Sequence, residues 1–207
     1  MNKVSLFFAI AFLTIVWSCM TDHNTPSAVR YQLDETMSVA EWKGYLRTGY
    51  FNEGAISVQS QNLMVNDGKV ASGSFTIPVS SIVNFNLPTD SIKHVLVHHL
   101  QSPDFFNMAM HPNLTYDITS VTPYSGTGGL MGANYQVNGS LMMLGQTNPV
   151  NFPARIDLVN NQILVDATLK IDRTKWGITY ASDPSLPADG QILPDIDIHL
   201  KLTGNKL

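Results

Sequence analysis

The sequence predicts an all-β domain, an antiparallel barrel with one short helical segment. Apolar residues recur at every second position through segment after segment. Turn-forming Asn, Asp and Gly residues stand between those segments. A single region, from about Asp90 to Leu100, changes to helical spacing.

Along the chain the alternating rows come in order. Phe75, Ile77 and Val79 alternate with Ser74, Thr76 and Pro78, and Leu114, Tyr116 and Ile118 with Thr115, Asp117 and Thr119. Tyr135, Val137, Gly139 and Leu141 form a third row, and Val150, Phe152, Ala154 and Ile156 a fourth. Ile163 to Ile171 and Ile196 to Leu202 complete the set. Each row predicts a strand with one apolar and one more polar face. Asn66-Asp67-Gly68 and Asn160-Asn161 suit tight hairpins, and Thr127-Gly128-Gly129 marks a longer loop. Thr89 or Asp90 caps the helix, Pro103 stops it, and Asp104-Phe105-Phe106 adds a further turn. Six to eight such strands joined by short connections favour a closed or nearly closed barrel, because closure removes exposed sheet edges.

The N-terminus reads as an export signal. Lys3 precedes a nearly apolar run from Val4 to Trp17, shorter than the roughly 20 residues of a spanning helix and suited to a signal peptide. The run ends in Val16-Trp17-Ser18-Cys19, which resembles the lipobox of bacterial lipoproteins, with cleavage before an acylated cysteine. Cys19 is the chain's one cysteine, so an intrachain disulfide is impossible and the core must hold the domain alone. The expected organisation is therefore a signal peptide over 1–18, a lipidated tether over 19–30 and a barrel domain over 31–207. Met20 after the cysteine agrees with the outer-membrane default of lipoprotein sorting, which places the expected domain in the cell envelope, facing the periplasm. Net charge is −4 with 14% charged residues and no basic patch, which argues against nucleic acid as a partner.

Alternation places Phe75, Ile77, Tyr116, Ile118, Tyr135, Val137, Leu141, Phe152 and Leu169 on the inner face. Periodicity alone leaves open whether they fill the interior or line a hollow one. Tyr116 and Tyr135 each carry a hydroxyl that suits either a ligand oxygen or the backbone. His94 and His98 share one helix face, yet no third ligand is evident, so no metal site is expected. Asp172-Arg173 reads as an ion pair or a strand-end cap, with a headgroup contact by Arg173 as the sharper alternative. Asp195 and Asp197 fall on an outer face, which favours solvation over catalysis, and no catalytic order or nucleotide fingerprint stands out.

Several motifs in order resemble the YceI-like family of lipocalin-like barrels. They are Tyr31-Gln32-Leu33-Asp34 with Trp42-Lys43-Gly44, Gly73-Ser74-Phe75-Thr76-Ile77, and His99-Leu100-Gln101-Ser102-Pro103-Asp104-Phe105-Phe106 followed by His111-Pro112. Further along come Gly139-Ser140-Leu141 with Phe152-Pro153-Ala154, then Ile171-Asp172-Arg173-Thr174-Lys175-Trp176-Gly177-Ile178, then Asp195-Ile196-Asp197-Ile198. Family members often carry histidines near Met37 and Asn52, and this chain has neither. The resemblance implies a binding protein for isoprenoid lipids, quinone or polyprenyl, with no catalysis and no cofactor. It also implies that Trp42 and Trp176 join the inward row in lining a ligand cavity. Burying ten carbons would contribute roughly 8 kcal/mol, enough for micromolar affinity without polar contacts. The expected partners are an isoprenoid or other long apolar ligand and the membrane that takes the acyl chains of Cys19. Oligomeric state stays open, a homodimer being one option. Two rival readings remain: a structural or stress-related envelope module with a filled core, and a small-molecule enzyme using the cavity.

Overall fold

A computed structural model describes residues 28–60 and 62–207. The expected signal segment, Cys19 and most of the expected tether lie outside the described residues. Ala28–Arg30, expected at the end of the tether, instead open the first strand, β1 (Ala28–Leu33). The chain continues through β2 (Val39–Leu46), β3 (Phe51–Ser57), β4 (Leu63–Asn66), β5 (Lys69–Ser72), β6 (Ser74–Pro78) and β7 (Val83–Asn84). After α1 (Asp90–Gln101) come β8 (Asn113–Pro123), β9 (Tyr135–Met143), β10 (Gln146–Val159), β11 (Gln162–Asp172) and β12 (Ile192–Lys206).

All named strand pairs are antiparallel, and they form a nearly closed barrel. Its wall runs β3-β2-β12-β11-β10-β9-β8-β6. The two ends of that path meet where Gln59 and Thr76 exchange backbone hydrogen bonds of 2.9 and 2.8 Å. Strand β12 is the hinge of the topology. One edge pairs with β11 over Asp195–Asn205, while the other pairs with β2 over Ile192–Lys201 and with β1 over Gly204–Lys206. Ser38 sits at that fork and exchanges hydrogen bonds with the backbone of Thr203: its hydroxyl donates to the carbonyl at 3.0 Å and accepts from the amide at 3.1 Å.

The turn chemistry works as the residues predict. Asp67 and Gly68 both take positive φ (48° and 72°), as do Asn160 and Asn161 (52° and 64°), which is the two-residue hairpin that matches the twist of its strands. A third such turn, Leu144-Gly145 (51° and 72°), joins β9 to β10 and carries no Asn or Asp to announce it. Strand β10 is therefore longer at its start than the Val150–Ile156 row suggested. It holds Pro149 and Pro153 because residues 146–154 pair with β9, while pairing with β11 begins only at Arg155. A proline needs such an edge without a partner, since it has no amide to donate.

One end of the barrel is a packed floor. Tyr31, Leu33, Val58, Leu63, Val65, Val70, Ile163 and Leu202 are all buried there. The other end is covered by α1 and the turn after it. Thr89 caps the helix, its Oγ1 accepting from the Ile92 amide at 3.4 Å. None of the helix residues is fully buried, but Val97 and Leu100 pack on the core below. Beneath this cap lies a second cluster of Val79, Phe105, Leu114, Leu141, Met143, Trp176 and Ile178.

Arg173 ties the capped end together. Asp172 ends β11 by accepting from the Thr174 amide and hydroxyl at 3.0 and 2.6 Å, which turns the following residue inward. The Arg173 side chain is 2% exposed and donates to the carbonyls of Leu193, Ile178 and Ile192 at 3.3, 2.7 and 3.1 Å. Its guanidinium also lies 5.9 Å from the Phe105 ring centre. Desolvation lowers its pKa, and the nearby Asp172 charge opposes that shift. Three carbonyls lose their partner if this side chain is removed, so Arg173→Met is expected to lose about 3 kcal/mol of stability in urea unfolding.

Candidate functional site

Between the floor and the helical cap the barrel is hollow. The cavity measures about 280 Å³, close to the lower end of small-molecule sites at roughly 300 Å³. At roughly 30 Å³ per water-sized unit, that space suits about ten heavy atoms. Trp42, Phe75, Ile77, Tyr116, Ile118, Val137, Leu141, Phe152 and Leu169 all stand in its wall. The last strand contributes Ile196, Ile198, Leu200 and Leu202 as one continuous row. From the cap come Leu96, Leu100, Phe105 and Phe106. Tyr50, which is 52% exposed, also borders the cavity, so the cavity reaches the surface at the β2–β3 turn.

Two expected site residues lie elsewhere. Tyr135 belongs to the inward row of β9, but it stands beyond the floor, in a smaller cleft with Val70, Val121 and Leu158. Trp176 lies past the end of β11, where alternation no longer holds. Its indole is 2% exposed and donates to the Leu141 carbonyl at 3.0 Å, sealing the cap cluster instead of bordering the cavity.

The cavity stays open because two large rings lie along its wall. Tyr116 on β8 crosses β9 at Gly139, where any Cβ would meet its phenol, and reaches β10 to donate to the Val150 carbonyl at 3.0 Å. Burial pushes its pKa well up. Its hydroxyl is thus committed to the backbone. Trp42 on β2 lies over Gly54, its pairing partner on β3, where a Cβ would also meet the Val83 carbonyl. Phe75 and Phe152 flank the Tyr116 ring at 6.2 and 5.9 Å between centres.

Ionisable chemistry is scarce here. Among the described residues the lining includes no Asp, Glu, His, Lys, Ser or Cys, and Arg173 is held by backbone carbonyls. The charged groups face outward. Asp197 accepts from Tyr45 and pairs with Lys170, both at 3.0 Å, and His199 lies 2.7 Å from Asp166. His99 of the helix meets Asp104 at 3.0 Å and stacks edge-on against Phe105 and Tyr180. No group of three metal-ligating side chains occurs among the described residues.

Asn52, noted in the sequence only as a position where family members often carry a histidine, stands on the inner face of β3, a strand without apolar alternation. Among the described residues, three buried side-chain polar atoms lack a hydrogen-bond partner: Trp42 Nε1, Asn52 Oδ1 and Gln191 Oε1. The first two belong to cavity-lining residues.

The YceI-like domain model matches residues 31–204. The chain belongs to the YceI-like family. Solved structures agree on the fold. BcnA from Burkholderia cenocepacia aligns with a TM-score of 0.62 at 19% identity, over 83% of this chain and 98% of that one. A polyisoprenoid-binding domain from Saccharophagus degradans, implicated in plant cell wall breakdown, gives 0.59 at 14% identity, over 86% and 99%. A YceI protein from Campylobacter jejuni gives 0.52 at 16%, over 100% and 99%. No curated protein matches.

The ring-over-glycine packing has a measurable consequence. Gly139→Val should displace Tyr116 and lose about 2–3 kcal/mol, whereas Tyr116→Phe, which removes only the hydroxyl, should lose about 1 kcal/mol. Paired urea titrations of the two variants check both values.

Proposed function

We propose that this barrel binds and sequesters or carries an apolar isoprenoid lipid, quinone or polyprenyl, in the bacterial cell envelope, without catalysis. The observation that carries this reading is the cavity: enclosed between floor and cap, lined by aliphatic and aromatic side chains, and reaching the surface at Tyr50. A tail of about ten buried carbons contributes roughly 8 kcal/mol from apolar transfer alone. A longer chain extends past Tyr50 toward solvent. The polyisoprenoid-binding domain of Saccharophagus degradans supports the same ligand class by its fold. Among the described residues the wall has no acid or base group positioned for proton transfer, which supports binding over turnover.

The envelope setting rests on the leader and on Cys19, which we propose is acylated and holds the domain at the outer membrane, facing the periplasm. From Cys19 to Ala28 an extended chain spans at most about 30 Å. Ala28 pairs with Asn66 beside the floor, so the tether joins the barrel at the end opposite α1.

Native mass spectrometry of gently extracted full-length protein should show a co-purifying apolar molecule that Ile118→Trp excludes by filling the cavity. Protein that is ligand-free, and that takes up no prenyl lipid when offered one, would contradict the reading. For the anchor, Cys19→Ser should move the protein from the membrane to the soluble fraction, and unchanged membrane association and gel mobility would remove it.

A further inference from the structure

The floor of the cavity is thin at one place. Val70 and Ile156 are buried, and each borders both the cavity and the smaller cleft beyond it. At this point a single layer of side chains separates the two spaces, which measure about 280 and 160 Å³. The two sides of that layer are held differently. Ile156 lies in β10, where it pairs with Val165 on one edge and is clamped on the other by Asn134, whose Nδ2 donates to the Ile156 carbonyl at 3.0 Å and whose Oδ1 accepts from its amide at 2.9 Å. Val70 lies in β5, a strand of four residues of which it alone is buried. Among the described residues β5 pairs with β4 only, and that pairing shifts register between Met64 and Val65. A short, irregular edge strand is held by few hydrogen bonds and opens at low cost. Beyond the floor the cleft reaches the surface, where Val159 and the Asp157 carboxylate are each half-exposed.

We infer that Val70 is a gate in the floor, and that moving its side chain aside joins cavity and cleft into one channel for a linear prenyl chain of three isoprene units. The inference rests on the proposed lipid-binding role and narrows its ligand by chain length. At roughly 30 Å³ per heavy atom the cavity holds about ten and the cleft about five more, so the closed floor fits about two isoprene units and the open one about three. Val70 is the leaf that moves, because the clamp on Ile156 fixes the other side. The apolar tail enters first, since the wall down to the gate is lined by aliphatic and aromatic side chains. Its end then lies in the cleft, against Val121, Tyr135 and Leu158. The five added carbons bury more apolar surface than one displaced valine gives up, so the exchange favours the longer chain.

Delipidated full-length protein tests this by displacement of phenylnaphthylamine, a neutral apolar reporter. The probes are geraniol, farnesol and geranylgeraniol, prenyl alcohols of two, three and four isoprene units. Farnesol is expected to bind about thirtyfold more tightly than geraniol, and geranylgeraniol no more than about threefold more tightly than farnesol, because its last unit extends beyond the channel toward solvent. In Val121→Trp, which fills the cleft, the ratio of farnesol to geraniol affinity should fall to about one. In Val70→Ala, which removes the gate, that ratio should rise about fivefold. The native protein supplies a reading that needs no variant: farnesol carrying a diazirine at its tail end should photolabel the cleft segments around Tyr135 and Leu158, as read by peptide mass mapping. Equal binding of geraniol and farnesol by the native protein, a ratio that survives Val121→Trp or is unmoved by Val70→Ala, or labelling confined to the mouth and cap would overturn the gate alone. Failure of geraniol and reporter to bind at all would overturn the cavity's role, and the gate with it.

Discussion

The hollow interior of this barrel depends on two aromatic rings packed over two glycines. A barrel of this size readily closes on its own side chains and leaves no space. Here Tyr116 and Trp42 are large enough to do that. They do not, because Gly139 and Gly54 open a groove in the wall into which each ring settles. The hydrogen bond from Tyr116 to Val150 then holds its ring across three strands, β8, β9 and β10. Phe75 and Phe152 pack on either side, so the aromatic patch forms wall instead of plug.

That hollow needs both ends shut by other means. The floor uses β1, which pairs with the far end of β12, and the β4–β5 hairpin, which pairs with β1; together they bring Tyr31, Leu63, Val65 and Val70 beneath the barrel. At the other end Arg173 gathers three carbonyls, those of Ile192 and Leu193 at the irregular start of β12 and that of Ile178 in the loop before it. A buried guanidinium suits this task, having five donors in a rigid fork. It also explains why Arg173, an attractive headgroup contact on paper, is buried in the cap with three of its five N–H groups donating to backbone carbonyls.

Legibility differed sharply among elements. The six alternating rows, the Asp67-Gly68 and Asn160-Asn161 turns and the Thr89-capped helix could all be read, because each depends on neighbours along the chain. Strand β3 could not: Asn52, Gly54 and Ala55 interrupt alternation, and the segment is a strand because β2 and β7 flank it. Inward direction was also read well, while depth was not. Tyr135 and Val137 share a row on β9, yet only Val137 borders the cavity, since the floor comes between them. Trp176 had a family motif around it but no strand beneath it, and its position follows from the turn that Asp172 starts.

By itself the sequence determined the class of fold, the family and the apolar character of the interior, because side-chain period and turn chemistry are local properties. It also set the single cysteine near the N-terminus, which leaves the domain to stand without a disulfide. Tertiary structure alone decided that the interior is hollow. Whether a ring fills space or lines it depends on what lies across the sheet, and Gly139 and Gly54 are separated from Tyr116 and Trp42 in sequence. It likewise decided which polar atoms remain unpaired, since a hydrogen bond is a statement about position. Trp42 Nε1 and Asn52 Oδ1 are left without a partner only because of where folding places the strands around them.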